Sequence, residues 1–282
     1  MKNTLALTAL CLLGLNLPTL AAETKITVKG SDTMVILAQK WAETYMAAHK
    51  DTTIQVTGGG TGTGFAALQN KTTDLCNASR PIKSPGEVLG CIKAFGKKPL
   101  EYKVALDGLA VYVSADNQVT ELTVAQVSDI FLGKIKNWKD VGGKDAPITL
   151  YSRENSSGTY EFFKEHVLNK QDFDATAQTM PGTAAVLQAV AKDKNGIGYG
   201  GAAYGAGAKH LLIKKDAGSP GVEPTEKTVQ SGDYPIARPL FIYVNPALDK
   251  DGINAYLKWI VSDEGQNVVK NVGYFPLPKK DA

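Results

Sequence analysis

The sequence predicts an α/β protein built of two lobes. Three observations carry that expectation. Short apolar or alternating strands are followed repeatedly by helical apolar stripes. About 260 residues remain beyond an N-terminal leader, enough for two cores of ordinary size. The pattern also changes character near Leu106.

The leader comes first. Lys2 precedes an apolar run from Leu5 to Leu17, then Pro18 and the small residues Thr19, Ala21 and Ala22, the order of a secretory signal peptide over 1–22. The run is too short for a membrane span, which needs about 20 residues. Lipid anchoring through Cys11 is disfavoured because Leu10 before it is bulky and the apolar run continues past it. The protein is therefore expected to be periplasmic or secreted after cleavage near Glu23.

Ile26-Thr27-Val28 reads as a strand, and Met34, Leu37, Ala38, Trp41 and Tyr45 share one helix face, with Ser31 or Asp32 placed to cap it. The unit repeats: a strand over 53–56, a glycine turn over 58–64, a helix starting at Phe65. A third strand over 74–80 runs into a loop at Ser79-Arg80. Beyond Leu106, a strand over 109–113 and a helix capped by Thr123 open the second lobe. A strand over 148–150, the turn 152–159, a helix bearing Phe162 and Phe163, a helix over 183–191 and a glycine-rich stretch over 196–207 continue it. Residues 216–235 read as surface loop. The apolar strand 240–244 and helices over 252–261 and 264–272 are expected to return to the first lobe, with hinge crossings near Leu106 and Pro239. Lobe one is thus expected over 23–106 plus 240–282, and lobe two over 107–239.

Charge excludes some partners. The formal net charge is +3, and loss of Lys2 with the leader leaves +2, too balanced for nucleic acid or an anionic membrane. Cys76 and Cys91 are the cysteines left after cleavage, and in an oxidising compartment a disulfide between them is expected, worth about 3 kcal/mol in the chain-entropy model. The histidines His49, His166 and His210 are scattered, so no metal site is expected.

Segments 30–33, 58–64 and 152–159 share Gly, Ser and Thr, and each lies between a strand and a helix. Such turns present unpaired N–H groups at helix N-termini, which suits a phosphate or sulfate. The run 58–64 fits neither a dinucleotide fingerprint nor a P-loop, because no lysine follows its last glycine. Arg80 and Arg153 end predicted strands beside small hydroxyl residues, where a guanidinium fork can meet two oxygens of a tetrahedral anion.

At this point the chain resembles the periplasmic phosphate-binding proteins of ABC transporters. The residues that carry the resemblance are Gly30-Ser31-Asp32-Thr33-Met34, 60–64 (Gly-Thr-Gly-Thr-Gly), Ala78-Ser79-Arg80, 130–138 (Ile-Phe-Leu-Gly-Lys-Ile-Lys-Asn-Trp), 153–159 (Arg-Glu-Asn-Ser-Ser-Gly-Thr) and 196–199 (Gly-Ile-Gly-Tyr). The resemblance implies a two-lobe, type II periplasmic binding protein fold, with two hinge strands and a cleft that closes on inorganic phosphate for delivery to the permease of an importer. It implies a site of Thr33 from the first turn, Thr61 from the second, Ser79 and Arg80 from the third, and Arg153, Ser157, Gly158 and Thr159 from the second lobe; Ser31 and Asp32, beside Thr33 in the first turn, are further candidates. A monomer without cofactor is expected. Many members place an aspartate where this chain has Ser79-Arg80, so Asp32 is expected to read the proton of phosphate, which sulfate lacks.

The rival class is a secreted phosphate-ester hydrolase with Ser157 as nucleophile. No GxSxG elbow or paired-carboxylate metal site accompanies that serine, and His166 lies nine residues on, so no catalytic residue is assigned. A phosphate sensor would use the same fold and site.

Overall fold

The computed structural model describes residues 24–205, 207–246 and 251–279; the expected leader, with Cys11, lies outside them. In chain order the elements are β1 (Thr24–Gly30), α1 (Val35–Ala48), β2 (Thr52–Thr57), α2 (Thr61–Gln69), β3 (Leu75–Ala78), α3 (Gly86–Phe95), β4 (Leu100–Val113), β5 (Glu121–Thr123) and α4 (Val124–Phe131). They continue with β6 (Thr149–Arg153), α5 (Gly158–His166), β7 (Gln178–Met180), α6 (Gly182–Lys192), β8 (Gly196–Gly201), β9 (Lys209–His210), β10 (Leu212–Lys214), α7 (Glu226–Ser231), β11 (Ala237–Val244), α8 (Asp251–Ile260) and α9 (Asp263–Val272).

The main sheet has the order β2-β1-β3-β11-β4-β8-β6-β7, with β9 on β4. Parallel β1, β2 and β3 form one end, and parallel β6, β7 and β8 the other. The long strand β4 joins the two ends: its first part pairs antiparallel with β11 and its second part with β8. Leu106 and Pro239, where the crossings were expected, face each other in register, and so do Asp107 and Arg238. This is the expected α/β two-lobe fold.

Each lobe has its own core. Ile26, Leu37, Trp41, Ile54, Val104, Leu240, Ile253, Leu257 and Val269 pack in the first; Val111, Ile130, Phe131, Trp138, Phe163, Ile197 and Tyr199 pack in the second. On α1 the residues Leu37, Ala38, Trp41, Ala42 and Tyr45 are buried, the stripe that a 3.6-residue repeat requires. Trp41 donates its indole N–H to the Gly265 carbonyl at 2.8 Å, locking α1 against α9. Thr123 and Gln126 form a reciprocal capping box at the start of α4, as the sequence at Thr123 indicated. Phe275 bridges Leu106 and joins the second core, so the C-terminal segment touches both lobes.

Several expectations change. The glycine turn ends at Gly60, because α2 begins at Thr61. Gly64 therefore lies inside the helix, where a Cβ would come within 2.7 Å of the Gly30 Cα and 2.8 Å of the Cys76 sulfur. The glycine there permits close packing on β1 and β3 rather than a turn. The stretch from Gly196 is likewise a strand, β8, buried throughout, whose glycines let α6 approach. Within 216–235 the capped helix α7 forms. Neither Ser31 nor Asp32 caps a helix with its side chain: a one-turn 3-10 helix, Asp32–Met34, precedes α1.

Cys76 and Cys91 are not bridged. Both are buried free thiols in a small cluster with Phe65, Leu68, Phe241 and Tyr243. Burial pushes both thiols up from their ordinary range, suppressing the thiolate that disulfide exchange needs.

Candidate functional site

Three turns of the first lobe meet the N-terminus of α5 from the second. Ser31 donates to the Ser79 hydroxyl at 2.9 Å, and Ser79 N–H donates to the Thr61 hydroxyl at 3.2 Å. Across the lobes, the Thr33 and Thr159 hydroxyls are 2.6 Å apart. Gly158 closes the ring: a Cβ on it would lie 2.4 Å from Thr61 Oγ1 and 2.7 Å from Ser79 Oγ, so only glycine fits. Ser31, Thr33, Thr61, Ser79, Ser157 and Thr159 are all buried, an unusual density of hydroxyls for an interior.

Local structure supplies the donors. Ser157 caps α5, its hydroxyl oxygen accepting the N–H groups of Thr159 and Tyr160 at 3.2 Å each. The Gly158 N–H belongs to the first turn, whose N–H groups have no acceptor within the helix and carry the positive end of its dipole. The turn after β1 is held from behind: Tyr204 donates to the Asp32 carbonyl at 2.6 Å, and Tyr274 donates to the Thr33 carbonyl. Burial pushes the Tyr204 phenol up to about 12, so it stays a neutral donor.

Arg153 ends β6 and is 2% exposed. It donates to Glu154 through Nε and Nη2 at 3.1 and 2.8 Å, to Asp32 Oδ2 through Nη2 at 3.1 Å and to the Thr183 hydroxyl through Nη1 at 3.0 Å. Of its five donors, one on Nη1 remains. Burial works against the Glu154 carboxylate, yet the hydrogen bond and charge of Arg153 outweigh it and hold that carboxyl below its ordinary range. Asp32 accepts the Gly59 N–H at 2.8 Å through its other oxygen. The guanidinium thus faces two carboxylates, and the site offers an anion oriented hydrogen-bond donors rather than net positive charge.

The lobes also touch above the site. Gly62 N–H donates to the Ser156 carbonyl at 2.9 Å, and Gly60, at φ +91°, leaves no room for a Cβ beside that carbonyl.

The structure brings Ser31, Asp32, Thr33, Thr61, Ser79, Arg153, Ser157, Gly158 and Thr159 together, but not Arg80. Arg80 donates to both oxygens of Glu87 at 2.7–2.8 Å and to the Pro81 carbonyl, and lies over the Phe65 ring. Its Nε is 3.1 Å from Glu161, close enough for charge attraction but not aligned as a hydrogen bond. Its place beside the hydroxyls is taken by Arg238 of β11, which sequence reasoning missed. Arg238 donates to Thr159 Oγ1 at 2.9 Å, to the Ser79 carbonyl at 3.0 Å and to Asp107. The signal was there in the opposite charges of Asp107 and Arg238, each next to an expected hinge crossing.

No group of three or more His, Cys, Asp or Glu that could hold a metal ion occurs among the described residues, and none of their helices is long and apolar enough to cross a membrane.

Comparison with known proteins identifies relatives over nearly the whole chain. Residues 18–264 match the PBP superfamily domain. The phosphate-binding protein PstS of Pseudomonas aeruginosa is 38% identical over 269 residues, covering 90% of this chain and 83% of that protein. PstS of Staphylococcus epidermidis is 40% identical over 261 residues, covering 89% and 78%. A Clostridium perfringens protein crystallised with bound phosphate superposes with a TM-score of 0.82 at 26% identity, over 90% of this chain and 100% of that one. An ABC-type phosphate transport receptor from Vibrio cholerae gives 0.71 at 25% identity, over 89% and 99%. With its two lobes joined at β4 and β11 and its hydroxyl-lined closure, the chain belongs to the PstS family of phosphate-binding proteins, within the PBP superfamily.

Proposed function

We propose that this protein captures inorganic phosphate between its lobes and hands it to the permease of an ABC importer. The observation that carries the reading is the convergence of Thr33, Thr61 and Ser79 from one lobe with Gly158 and Thr159 from the other, within hydrogen-bond distance or van der Waals contact. A dehydrated tetrahedral anion needs several fixed donors from opposite sides, and this arrangement has them. Ser31, Asp32, Thr33, Thr61, Ser79, Arg153, Ser157, Gly158 and Thr159 form the phosphate site in this reading. Asp32 accepts the phosphate proton, and Arg153 supplies its remaining Nη1 donor.

The chain is exported by cleavage of residues 1–22, works in the periplasm or outside the cell as a monomer, and divides at the crossings near Leu106 and Pro239. Catalysis is not part of this reading. The Ser157 oxygen is occupied as a helix cap, and His166 packs tilted against Phe162, 4.3 Å between ring centroids, at the far end of α5. Titration calorimetry of the processed protein is expected to give saturable binding of phosphate and at least tenfold weaker binding of sulfate, a difference of about 1.4 kcal/mol or more. Equal affinity for the two anions, or product release from a chromogenic phosphate ester, would overturn it.

A further inference from the structure

We infer that Arg238 is a positioning residue for this anion site: braced by Asp107 across the two hinge strands, it orients the Thr159 hydroxyl as a donor and ties that donation to lobe closure. The inference rests on the phosphate reading above. It concerns a residue that neither motif nor loop composition points to.

The placement is unusual for an arginine. Arg238 and Asp107 are direct register partners on antiparallel β11 and β4, the strands that link the lobes, and they are 2% and 1% exposed. Asp107 Oδ2 accepts both Nε at 3.0 Å and Nη2 at 2.8 Å, so one side of the guanidinium is fixed. Two of the three remaining donors then point to the two lobes. Nη1 donates to the carbonyl of Ser79 at the end of β3, in the first lobe, at 3.0 Å. Nη2 donates to Thr159 Oγ1, in the first turn of α5 in the second, at 2.9 Å. The Phe162 ring of α5 lies 5.2 Å from the guanidinium carbon and packs that contact.

The consequence falls on Thr159. A hydroxyl has one proton and two lone pairs. With a lone pair taken by a charged donor, its proton is directed away from Arg238, toward the side where Thr33 Oγ1 stands at 2.6 Å. Accepting a charge-assisted bond also polarises the O–H and strengthens it as a donor. Because Asp107 cancels the guanidinium charge, Arg238 acts through orientation rather than as a counter-ion. Because its two arms reach different lobes, separation of Ser79 from Thr159 breaks a bond that the closed form keeps.

A double-mutant cycle tests this. Arg238→Gln together with Asp107→Asn leaves a neutral, hydrogen-bonding pair rather than a stranded buried charge. Calorimetric phosphate affinity is measured for this pair alone and combined with Thr159→Val. On the natural background the pair is expected to weaken binding about tenfold; on the Thr159→Val background, where no hydroxyl is left to orient, less than about twofold. Equal losses on both backgrounds would mean a merely structural role and would overturn the inference alone. No loss on either would do the same. If the natural protein binds no phosphate, the functional reading falls and this inference with it. Should the paired substitution not fold, Arg238→Lys, which keeps the charge against Asp107 but lacks the fork, goes through the same cycle with the same criteria.

Discussion

Four buried or half-buried carboxylates decide what the arginines around the cleft do. Arg80 is held by Glu87, Arg238 by Asp107, and Arg153 by Glu154 and Asp32. Of these carboxylates, Asp32 alone belongs to a first-lobe turn of the site. Asp32 bonds Gly59 N–H and Arg153 through different oxygens, yet a carboxylate has about four lone-pair sites and can still accept a proton-bearing phosphate oxygen. An amide there keeps the shape but puts N–H donors where an anionic acceptor stood. Asp32→Asn is therefore expected to reduce the preference for phosphate over sulfate by about tenfold or more, because sulfate no longer meets like charge and phosphate loses a charge-assisted bond. Competition calorimetry reads the ratio. An unchanged ratio would return Asp32 to a purely structural part in holding the Gly59 turn.

At the scale of elements, α5 matters beyond its N-terminus. Glu161, in its first turn, lies 3.1 Å from Arg80 Nε and 2.5 Å from Lys83 Nζ, both on the first-lobe segment that follows β3. The contact therefore bridges the lobes at the rim of the cleft. Such a half-exposed pair is worth about 1 kcal/mol at most. Glu161→Gln removes it while Arg80 stays paired with Glu87. Phosphate release is expected to quicken by about threefold to fivefold, less at high salt, with the association rate little changed. Stopped-flow dissociation measures it; an unaltered release rate would show that the rim contact carries no closing energy. The same segment explains why Arg80 lies apart from the hydroxyls it was expected to join. The arginine sits at the strand end as expected, but α3, which has no outstanding motif, brings Glu87 to it.

At the scale of the molecule, closure couples ligand to stability. An anion held by both lobes binds the closed form and not the unfolded chain, so phosphate at about one hundred times its dissociation constant should add about 2.7 kcal/mol. For a chain of this size that corresponds to a rise of several degrees in the melting temperature. Differential scanning calorimetry with phosphate and with sulfate checks it. A rise of the same size with both anions would count against a selective site.

Much of this was legible in the sequence because it depends on local rules. Apolar repeats at Leu37, Trp41 and Tyr45 specify a helix wherever they occur, and Thr123 with Gln126 caps one by chemistry three residues apart. The Ser157-Gly158-Thr159 turn likewise announces an anion site through its own small residues and N–H groups. What the chain alone could not decide was partnership across long separations. Cys76 and Cys91 pack as separate thiols, Arg80 turns to Glu87, and Arg238 meets Asp107 from 131 residues away. A side chain's role follows from which charges and donors the fold places around it. For Arg238 that depended on the register of β11 against β4, which the tertiary structure alone sets.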